Sequence, residues 1–476
     1  ACDTGMTAQW RYFLRTILTT AWLAVAACAT EPQAAVSATP GWSTDVAGVD
    51  EMHLSVDYWI SVTDQPDAVL LDADAIASFV RNAYAVDSNM VDLDTYPETI
   101  PSVEVVALIR SISKPYKGEL SYREGGRVTG EDFGRYTANL ALEDVPEPVD
   151  VRFGMIVERA DMRTWPSADI VFKSQETIDL DRFQENGLFP GDAVAVLHES
   201  SDGLWYFAQS YNYAAWVLKD KVALGERNEI LAYGATEPFL VIAGNRAVTN
   251  YNPATSSVSE VQLEMGTRLP LLTPEDVDHN VDGQNPYASY VVSLPTRTKK
   301  GGLEFRPGLI PRNQDVHIGY MPYTRRNVLK QAFKFLGERY GWGHSFNARD
   351  CTGLVLEVHK TFGFRLPRNS GQQGQSEIGE NLFFPPGASA EDKMRALAKA
   401  EVGDLLYSDG HVMLYLGTYE GEHYVIHDLS GAGWIDNDGE FHEGVLNGVS
   451  VTPLTRIHSS PEETYFDQMY SLKRLR

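Results

Sequence analysis

Residues 324–427 alternate helical and strand patterns in an order that restricts what this part of the chain can fold into. Apolar residues recur at helical spacing after Thr324, a suitable N-cap, so a helix is expected over residues 324–339. A Gly-rich loop follows, and then a second apolar helix that begins at or next to Cys351 and continues to about Phe362. Short apolar strands are expected at 405–407, 411–417 and 424–427. This order predicts a mixed α+β domain.

The chain of 476 residues is too long for one hydrophobic core, so several domains are expected. Short apolar runs separated by turn signals make residues 150–225 and 226–320 resemble two small all-β barrels. Residues 51–149 include a short helical pattern at 74–85 and are interpreted as a helical cap on the barrels, or as a linker that orders against them. The predicted fold is multidomain, with an α+β domain over residues 323–476.

The charge balance excludes one large class of partners. The chain has 40 basic and 65 acidic residues, a formal net charge of −25, and 43% hydrophobic residues. Nucleic-acid binding needs a basic footprint that this balance does not supply. The composition is that of a globular protein, and we expect a monomer.

The N-terminus has the features of an export signal. Arg11 and Arg15 form a positive region, and the apolar run 17–27 is shorter than the ~20 residues that span a bilayer. Residues 25–28 resemble a bacterial lipobox, in which Cys28 would be lipidated; an ordinary secretory signal cleaved near Ala27 is the alternative. We therefore predict a signal peptide over 1–28, a linker over 29–50 that is rich in Ala, Pro, Ser and Thr, and a lipid-anchored periplasmic protein.

The three cysteines are Cys2, Cys28 and Cys351. If processing removes Cys2 and lipidates Cys28, Cys351 is the only thiol of the folded part and has no disulfide partner. Such a thiol is either a buried apolar side chain or a reactive group. Both interpretations remain open from the cysteine count alone.

The surroundings of Cys351 favour a reactive thiol. Unpaired N–H groups and the dipole at a helix N-terminus favour thiolate by roughly 0.3–1 kcal/mol, so activation also needs a base. His411 begins one predicted strand and His427 ends the next, and a helix start that faces these strands can bring all three side chains together. We expect His411 to take the thiol proton and His427 to hold the ring of His411.

Residues from about 323 to 476 resemble the NlpC/p60 family of papain-like cysteine peptidases. The matching blocks occur in the family's order: Tyr340-Gly341-Trp342-Gly343, Asp350-Cys351-Thr352-Gly353-Leu354-Val355, Pro367-Arg368-Asn369-Ser370, Gln372-Gln373, Gly403-Asp404-Leu405, His411-Val412-Met413-Leu414-Tyr415-Leu416-Gly417 and Ile426-His427. The resemblance assigns the nucleophile, the base and the orienting residue to Cys351, His411 and His427.

The chain departs from the family pattern at a few positions. Thr352 stands where Ser is usual, His344 where a second Gly is usual, and Met413 where a small residue is common. An insertion at 418–422, expected in a hairpin turn, puts His423 near the spacing of the third residue. We favour His427 because its local context matches.

The resemblance also implies substrate contacts for Tyr340, Asp350 and Thr352. The Asp350 carboxylate could pair with the free N-terminal amine of a short peptide. Capping of the following helix is equally compatible with this position, and one residue could do both. For Tyr340 the alternative is simple packing.

The first barrel resembles a bacterial SH3-like (SH3b) domain. The resemblance rests on runs at 159–167, 189–198, 202–209 and 215–217, with Ala215 in place of the usual Gly. It extends to NlpC/p60 enzymes with tandem barrels, in which the first barrel contacts the free N-terminus of the substrate, and Tyr206 is the candidate here. The barrels could instead anchor the protein to the wall, and their aromatic residues could form their own cores.

The resemblance implies a peptidoglycan hydrolase, and no cofactor or metal is expected. It also implies the reaction, cleavage of the γ-D-glutamyl–diamino acid amide of murein stem peptides by a cysteine endopeptidase that acts on short fragments with a free N-terminal L-Ala. The alternatives are a D,D-endopeptidase that cuts cross-links in intact wall and a non-catalytic wall-binding lipoprotein.

Overall fold

The computed structural model describes residues 39–174, 178–436 and 438–476. The predicted signal peptide with Cys28 lies outside these ranges, as do residues 29–38 of the predicted linker. Within them, no helix has both the length and the apolar character needed to cross a bilayer.

The segment before residue 150 is mainly helical. It contains α1 (Val56–Val62), β1 (Val69–Leu71), α2 (Ala73–Val86), β2 (Thr99–Ile100), α3 (Ser102–Ile112), β3 (Ser121–Tyr122), α4 (Gly130–Asn139) and β4 (Val149–Asp150). Side chains of α1 and α2 pack into the core of residues 323–476, whereas α3 and α4 pack on the β-strands that follow. The helices of this segment therefore join two separate cores.

The first β domain, residues 150–225, is a seven-stranded antiparallel sheet in the order β12-β5-β9-β10-β11-β6-β8. The strands are β5 (Arg152–Ile156), β6 (Ala160–Arg163), β7 (Val171–Phe172), β8 (Gln184–Leu188), β9 (Ala193–Glu199), β10 (Trp205–Gln209), β11 (Ala214–Leu218) and β12 (Val222–Gly225), with β7 paired to β3 outside this sheet. Successive side chains of a strand point to opposite faces of a sheet. Trp205 and its neighbour Tyr206 are buried in two different cores, so both faces of this sheet are covered.

The second β domain, residues 226–320, begins with a helix and continues as two sheets. The elements are α5 (Arg227–Ala235), β13 (Phe239–Ile242), β14 (Arg246–Val248), β15 (Gln262–Glu264), β16 (Arg268–Leu272), β17 (Ser289–Arg297), β18 (Leu303–Pro311) and β19 (Val316–Ile318). The larger sheet has the order β18-β17-β16-β13-β19, and β14 pairs with β15.

The C-terminal domain, residues 323–476, places helices against a six-stranded antiparallel sheet. Its helices are α6 (Arg325–Phe333), α7 (Cys351–Lys360), α8 (Ser370–Gln375) and α9 (Ala390–Leu397). Its strands are β20 (Tyr323–Thr324), β21 (Glu380–Phe383), β22 (Leu405–Ser408), β23 (His411–Tyr419), β24 (Glu422–Leu429), β25 (Ala432–Ile435), β26 (Phe441–Gly444), β27 (Gly448–Pro453), β28 (Ile457–Ser460), β29 (Glu463–Thr464) and β30 (Ser471–Arg474). The large sheet has the order β21-β30-β22-β23-β24-β27.

Helix α7 is the centre of this domain. Every residue from Cys351 to His359 is buried, as expected for a helix that is apolar on all sides. Leu354, Val355 and Val358 pack against β22, β23 and β24 in the largest core of the described residues. The start of the helix is thereby held against the sheet.

Two local predictions differ from the structure. Helix α6 ends at Phe333 rather than near residue 339, because short 3₁₀ turns follow and Gly337 adopts a positive φ of 81°. The inserted residues lengthen β23 and β24 instead of the turn, and Tyr419 pairs with Glu422. Only two residues turn the chain, both with positive φ, as in a tight hairpin.

Candidate active site

Cys351 is the first residue of α7. Asp350 caps the helix by accepting a hydrogen bond of 2.8 Å from the Gly353 N–H, and the Cys351 side chain is 7% exposed. The backbone N–H of Val412, the residue after His411, lies close enough to the thiol to lower its pKa, although burial outweighs this effect. As the first helical residue, Cys351 has a backbone N–H without an intrahelical acceptor, a suitable donor to a developing oxyanion.

The two predicted histidines form a buried pair, and His411 immediately precedes Val412, whose backbone N–H affects the pKa of Cys351. His411 Nε2 and His427 Nδ1 are 2.8 Å apart, and Tyr465 packs over the pair with its ring centroid 4.8 Å from that of His411. This contact leaves Nδ1 of His411 as the nitrogen available to Cys351. His423 lies elsewhere, with its Nδ1 2.7 Å from the Tyr415 hydroxyl.

Burial sets the protonation state of the site. It raises the pKa of Cys351 to about 12, with a further contribution from the Asp350 carboxylate, and it lowers the pKa of His411 to about 4. The preference for thiolate expected at the helix N-terminus is therefore outweighed by burial. At neutral pH Cys351 is therefore a thiol and His411 a neutral imidazole. The thiol proton would move to His411 as the sulfur attacks.

Asp350 is held by four different donors. Its Oδ2 accepts from Arg368 Nη2 at 2.7 Å and from the Gly343 N–H at 3.0 Å, and its Oδ1 accepts from Thr352 Oγ1 at 2.9 Å and from the Gly353 N–H. Arg368 holds the pKa of Asp350 well below its usual range even though burial alone would raise it. Asp350 and Thr352 therefore form one buried hydrogen-bonded unit with Arg368.

The other two predicted substrate residues lie in different places. Tyr340 is 7% exposed, and burial together with the nearby Cys351 and Asp350 raises its pKa well above the usual value. Tyr206 is buried inside the first β domain, with Arg152 and Lys219 each 5.0 Å from its ring centroid. Tyr206 therefore packs in the core of its own sheet, because its side of β10 faces other strands instead of the site.

Strand β8 of the first β domain lies against the active-site loop. Gln184 donates to the Gly343 carbonyl at 2.9 Å, and Asn186 Oδ1 accepts from Arg368 Nε at 2.5 Å. Between them, the half-buried Glu185 accepts hydrogen bonds from Tyr213 and, at 2.9 Å, from Thr164. Sequence reasoning missed Glu185 and Asn186, although three consecutive polar residues in a buried strand are unusual enough to mark them.

Comparison with known proteins agrees with this geometry. Residues 337–464 match the model of the NlpC/P60 family, and residues 171–218 match that of the SH3 domain, SH3b1 type. The C-terminal domain is an NlpC/P60 domain. The resemblance expected from the ordered sequence blocks is confirmed, including the SH3b domain that precedes it.

Two curated relatives of this chain are named gamma-D-glutamyl-L-lysine dipeptidyl-peptidase. The protein of Bacillus cereus is 27% identical over 183 residues, which cover 36% of this chain and 49% of the relative. That of Bacillus subtilis is 28% identical over 143 residues, which cover 27% of this chain and 43% of the relative. The chain thus spans about half the length, or less, of the curated relatives it matches.

A solved structure shows the same fold over most of the chain. It is described as a novel NlpC/P60 endopeptidase from Photobacterium damselae subsp. piscicida, and it superposes with a TM-score of 0.69 at 17% sequence identity. The match covers 88% of this chain and 96% of the solved one. The two proteins therefore share a fold over most of their lengths.

A buried ion network joins the NlpC/P60 domain to both β domains. Arg349 is fully buried, with Nε 3.3 Å from both carboxylate oxygens of Glu357, Nη1 bound to Glu338, and Nη2 4.0 Å from Glu264 of the second β domain. Arg159 of the first β domain donates to Glu264 at 2.5 Å. Arg349 precedes the Asp350-Cys351 pair, so this network holds the start of α7 against its neighbours.

The charges in this network are strongly stabilised. Burial alone would raise the pKa of Glu357, but Arg349 and a hydrogen bond with His344 outweigh it and hold that pKa at about 2. Glu357 is therefore ionised at neutral pH. Among the described residues, no group of three or more His, Cys, Asp or Glu side chains is arranged to hold a metal ion.

The buried histidines make the folded protein sensitive to acid. Burial lowers the pKa of His344, His359 and His411 each to about 4, from an ordinary value of 6.5 that unfolding restores. The unfolded chain binds more protons between these values, so stability falls as the pH decreases from 6.5 to 4, by up to about 1.4 kcal/mol per pH unit for each histidine. Substitution His359→Gln should weaken this dependence, measured by urea unfolding at several pH values.

His359 suits this test because it lies at the far end of α7 from Cys351. Its Nδ1 is 2.7 Å from the Val355 carbonyl, and its Nε2 has no hydrogen-bond partner among the described residues. His279→Gln is the control, since His279 is 60% exposed and should leave the pH dependence unchanged. Identical pH dependence of stability in the wild-type and His359→Gln proteins would contradict the assignment.

Proposed function

We propose that this protein is a peptidoglycan hydrolase, a cysteine endopeptidase that cuts the γ-D-glutamyl–diamino acid amide of murein stem peptides. The observation that carries the proposal is the buried His411–His427 pair at 2.8 Å. His411 adjoins Val412, whose backbone N–H affects the pKa of the Cys351 thiol at the start of α7. The family of the C-terminal domain and the names of the two curated relatives support the same reaction class.

The proposed reaction follows from the roles of these groups. The Cys351 sulfur attacks the γ-D-glutamyl carbonyl carbon while the thiol proton moves to His411 Nδ1. The S–C bond forms, the C–N bond breaks, and His411 passes the proton to the leaving amine. Water then hydrolyses the thioester and regenerates the thiol. The Cys351 N–H is suited to stabilise the oxyanion.

We further propose that Glu185 binds the free N-terminal ammonium of the peptide. Asp350 was the candidate from the sequence. Its carboxylate oxygens, however, already accept hydrogen bonds from four donors, namely Arg368, Thr352, Gly343 and Gly353. Glu185 is a carboxylate outside this unit, on the strand that contacts Arg368 through the next residue. Its partner Tyr213 lies close enough to Arg368 for that guanidinium to act on the pKa of the phenol.

The test compares L-Ala-γ-D-Glu-diamino acid tripeptides with a free or an acetylated N-terminus. Wild-type protein should cut the free peptide between D-Glu and the diamino acid and cut the acetylated one poorly. Glu185→Gln should lower kcat/KM for the free peptide by about 10- to 100-fold, since it loses a charge-assisted contact of roughly 1.5–3 kcal/mol. Product release is followed by chromatography and mass spectrometry.

Glu158→Gln is the matched control, because Glu158 is a carboxylate of the same β domain that is 57% exposed and pairs with Lys221. It should leave both rates unchanged. Equal cleavage of free and acetylated peptides would remove the amine contact from the proposal. Release of cross-linked fragments from intact wall, without cleavage of the tripeptide, would replace the proposed γ-D-glutamyl reaction with the D,D-endopeptidase alternative.

We also propose that the protein is exported and acts in the periplasm, with Cys28 as a lipid anchor. The support is the sequence pattern of residues 1–28 alone. Mass spectrometry of the mature N-terminus tests it, and an unmodified N-terminus downstream of Cys28 would contradict lipidation.

A further inference from the structure

His427 makes a second contact that extends the line of side chains behind Cys351. Its Nε2 is 2.9 Å from Thr452 Oγ1, while its Nδ1 faces His411 Nε2. Both His427 and Thr452 are 1% exposed. The Thr452 hydroxyl is therefore a buried hydrogen-bond partner of His427 Nε2.

The sheet places Thr452 there directly. Strands β24 and β27 are antiparallel, with His427 opposite Ser450 and Val425 opposite Thr452. Side chains two residues apart on a strand share a face, so Thr452 is the diagonal neighbour of His427 on one face of the sheet. The contact results from strand register and does not depend on a loop.

The direction of this hydrogen bond decides which tautomer His427 adopts. A hydroxyl can donate or accept, and a neutral imidazole carries one proton on either nitrogen. If Thr452 accepts from His427 Nε2–H, Nδ1 of His427 is free to accept from His411 Nε2–H. Nδ1 of His411 then keeps its lone pair for the thiol proton. The opposite direction would put a proton on His411 Nδ1 and block its role as base.

We propose that Thr452 is a positioning residue that holds His427 as the Nε2–H tautomer by accepting its hydrogen bond. This inference rests on the proposed function, in which His411 is the base. Thr452 acts through two imidazoles and touches neither thiol nor substrate. It stabilises the imidazolium that forms on His411, because His427 Nδ1 is already oriented to accept the hydrogen bond from His411 Nε2–H.

The kinetic test replaces the hydroxyl while keeping the shape. Thr452→Val should lower kcat on the tripeptide by about 10- to 100-fold with KM nearly unchanged, because a hydrogen bond that becomes charge-assisted is lost. Thr452→Ser should restore at least half of the wild-type kcat. Ser450→Ala is the control: this hydroxyl lies on the same face of the same strand but bonds to the Gly448 carbonyl, and its loss should leave kcat unchanged.

A spectroscopic readout separates positioning from general structure and does not depend on activity. In ¹⁵N NMR of histidine-labelled protein, His427 should show a protonated Nε2 in the wild-type and Thr452→Ser proteins. A protonated Nδ1 should gain population in Thr452→Val. Thr452→Ala serves in the same way if the valine variant does not fold.

A kcat of Thr452→Val within a factor of two of wild type would overturn the inference, as would a serine variant as slow as the valine variant. An unchanged His427 tautomer in a folded variant without the hydroxyl would overturn it too. If the wild-type protein fails to cut the tripeptide, the proposed function fails, but the tautomer measurement still decides the role of Thr452.

Discussion

Replacing Cys351 with serine is expected to abolish cleavage of the stem tripeptide, with a loss of at least about 10⁴-fold in kcat. Serine keeps the size of the side chain, but its hydroxyl is a much weaker nucleophile beside a histidine whose pKa is lowered to about 4. Single-turnover product formation, measured by chromatography at excess enzyme, checks the result. Cleavage by Cys351→Ser at the wild-type rate would refute the mechanism.

Two histidines on β24 provide a matched comparison for the same mechanism. His427 contacts His411, whereas His423, four residues earlier, contacts Tyr415. His427→Ala should lower kcat by about 10²-fold or more, since the base loses its orienting partner. His423→Ala should cut at near the wild-type rate. The reverse order of effects would assign the third position to His423.

Replacing Arg349 with methionine is expected to destabilise the folded protein by about 3–5 kcal/mol, because it leaves the buried Glu357 carboxylate without its arginine counter-charge. Glu357 is 1% exposed and pairs with Arg349, whereas Glu264 keeps its ion pair with Arg159. Methionine retains an apolar stem against Phe335, whose ring centroid is 3.9 Å from the guanidinium carbon. Urea unfolding and the midpoint of thermal unfolding measure the loss.

Arg127→Met is the control for this substitution. Arg127 pairs with Glu119 at the surface, where the two side chains are 68% and 74% exposed, and such pairs contribute about 0–1 kcal/mol. The two variants make the same chemical change at a buried and at an exposed ion pair. Equal stability of the two variants would mean that the buried network does not hold the domains together.

The part of the site that lies on regular, strongly patterned elements was predictable from the sequence. The apolar run after Cys351 predicted a buried helix, and the structure has α7 from Cys351 to Lys360. The strand starting at His411 and the strand containing His427 were predicted from apolar runs bounded by turn residues, and both exist. The periodicity of side chains along an element is a local property, so it can be read without knowledge of distant residues.

The contacts between domains were not predictable in this way. Tyr206 was the candidate from the resemblance to tandem-barrel enzymes, yet it packs in the interior of its own domain. Glu185, which stands beside the Arg368 unit, belongs to the same domain and attracted no attention. Alternation along a strand shows that two faces exist, but it does not show which face another domain covers.

By itself, the sequence determined the elements of the candidate site: a thiol at a helix start, histidines on adjacent strands, and several domains with mixed helix and strand. The tertiary structure decided the rest. Burial keeps the thiol of Cys351 protonated, Arg368 forms an ion pair with the Asp350 carboxylate, and the Thr452 hydroxyl lies within hydrogen-bond distance of His427 Nε2. Side-chain identity and local spacing are written in the chain, whereas burial, charge pairing and register arise only when residues far apart in sequence pack together.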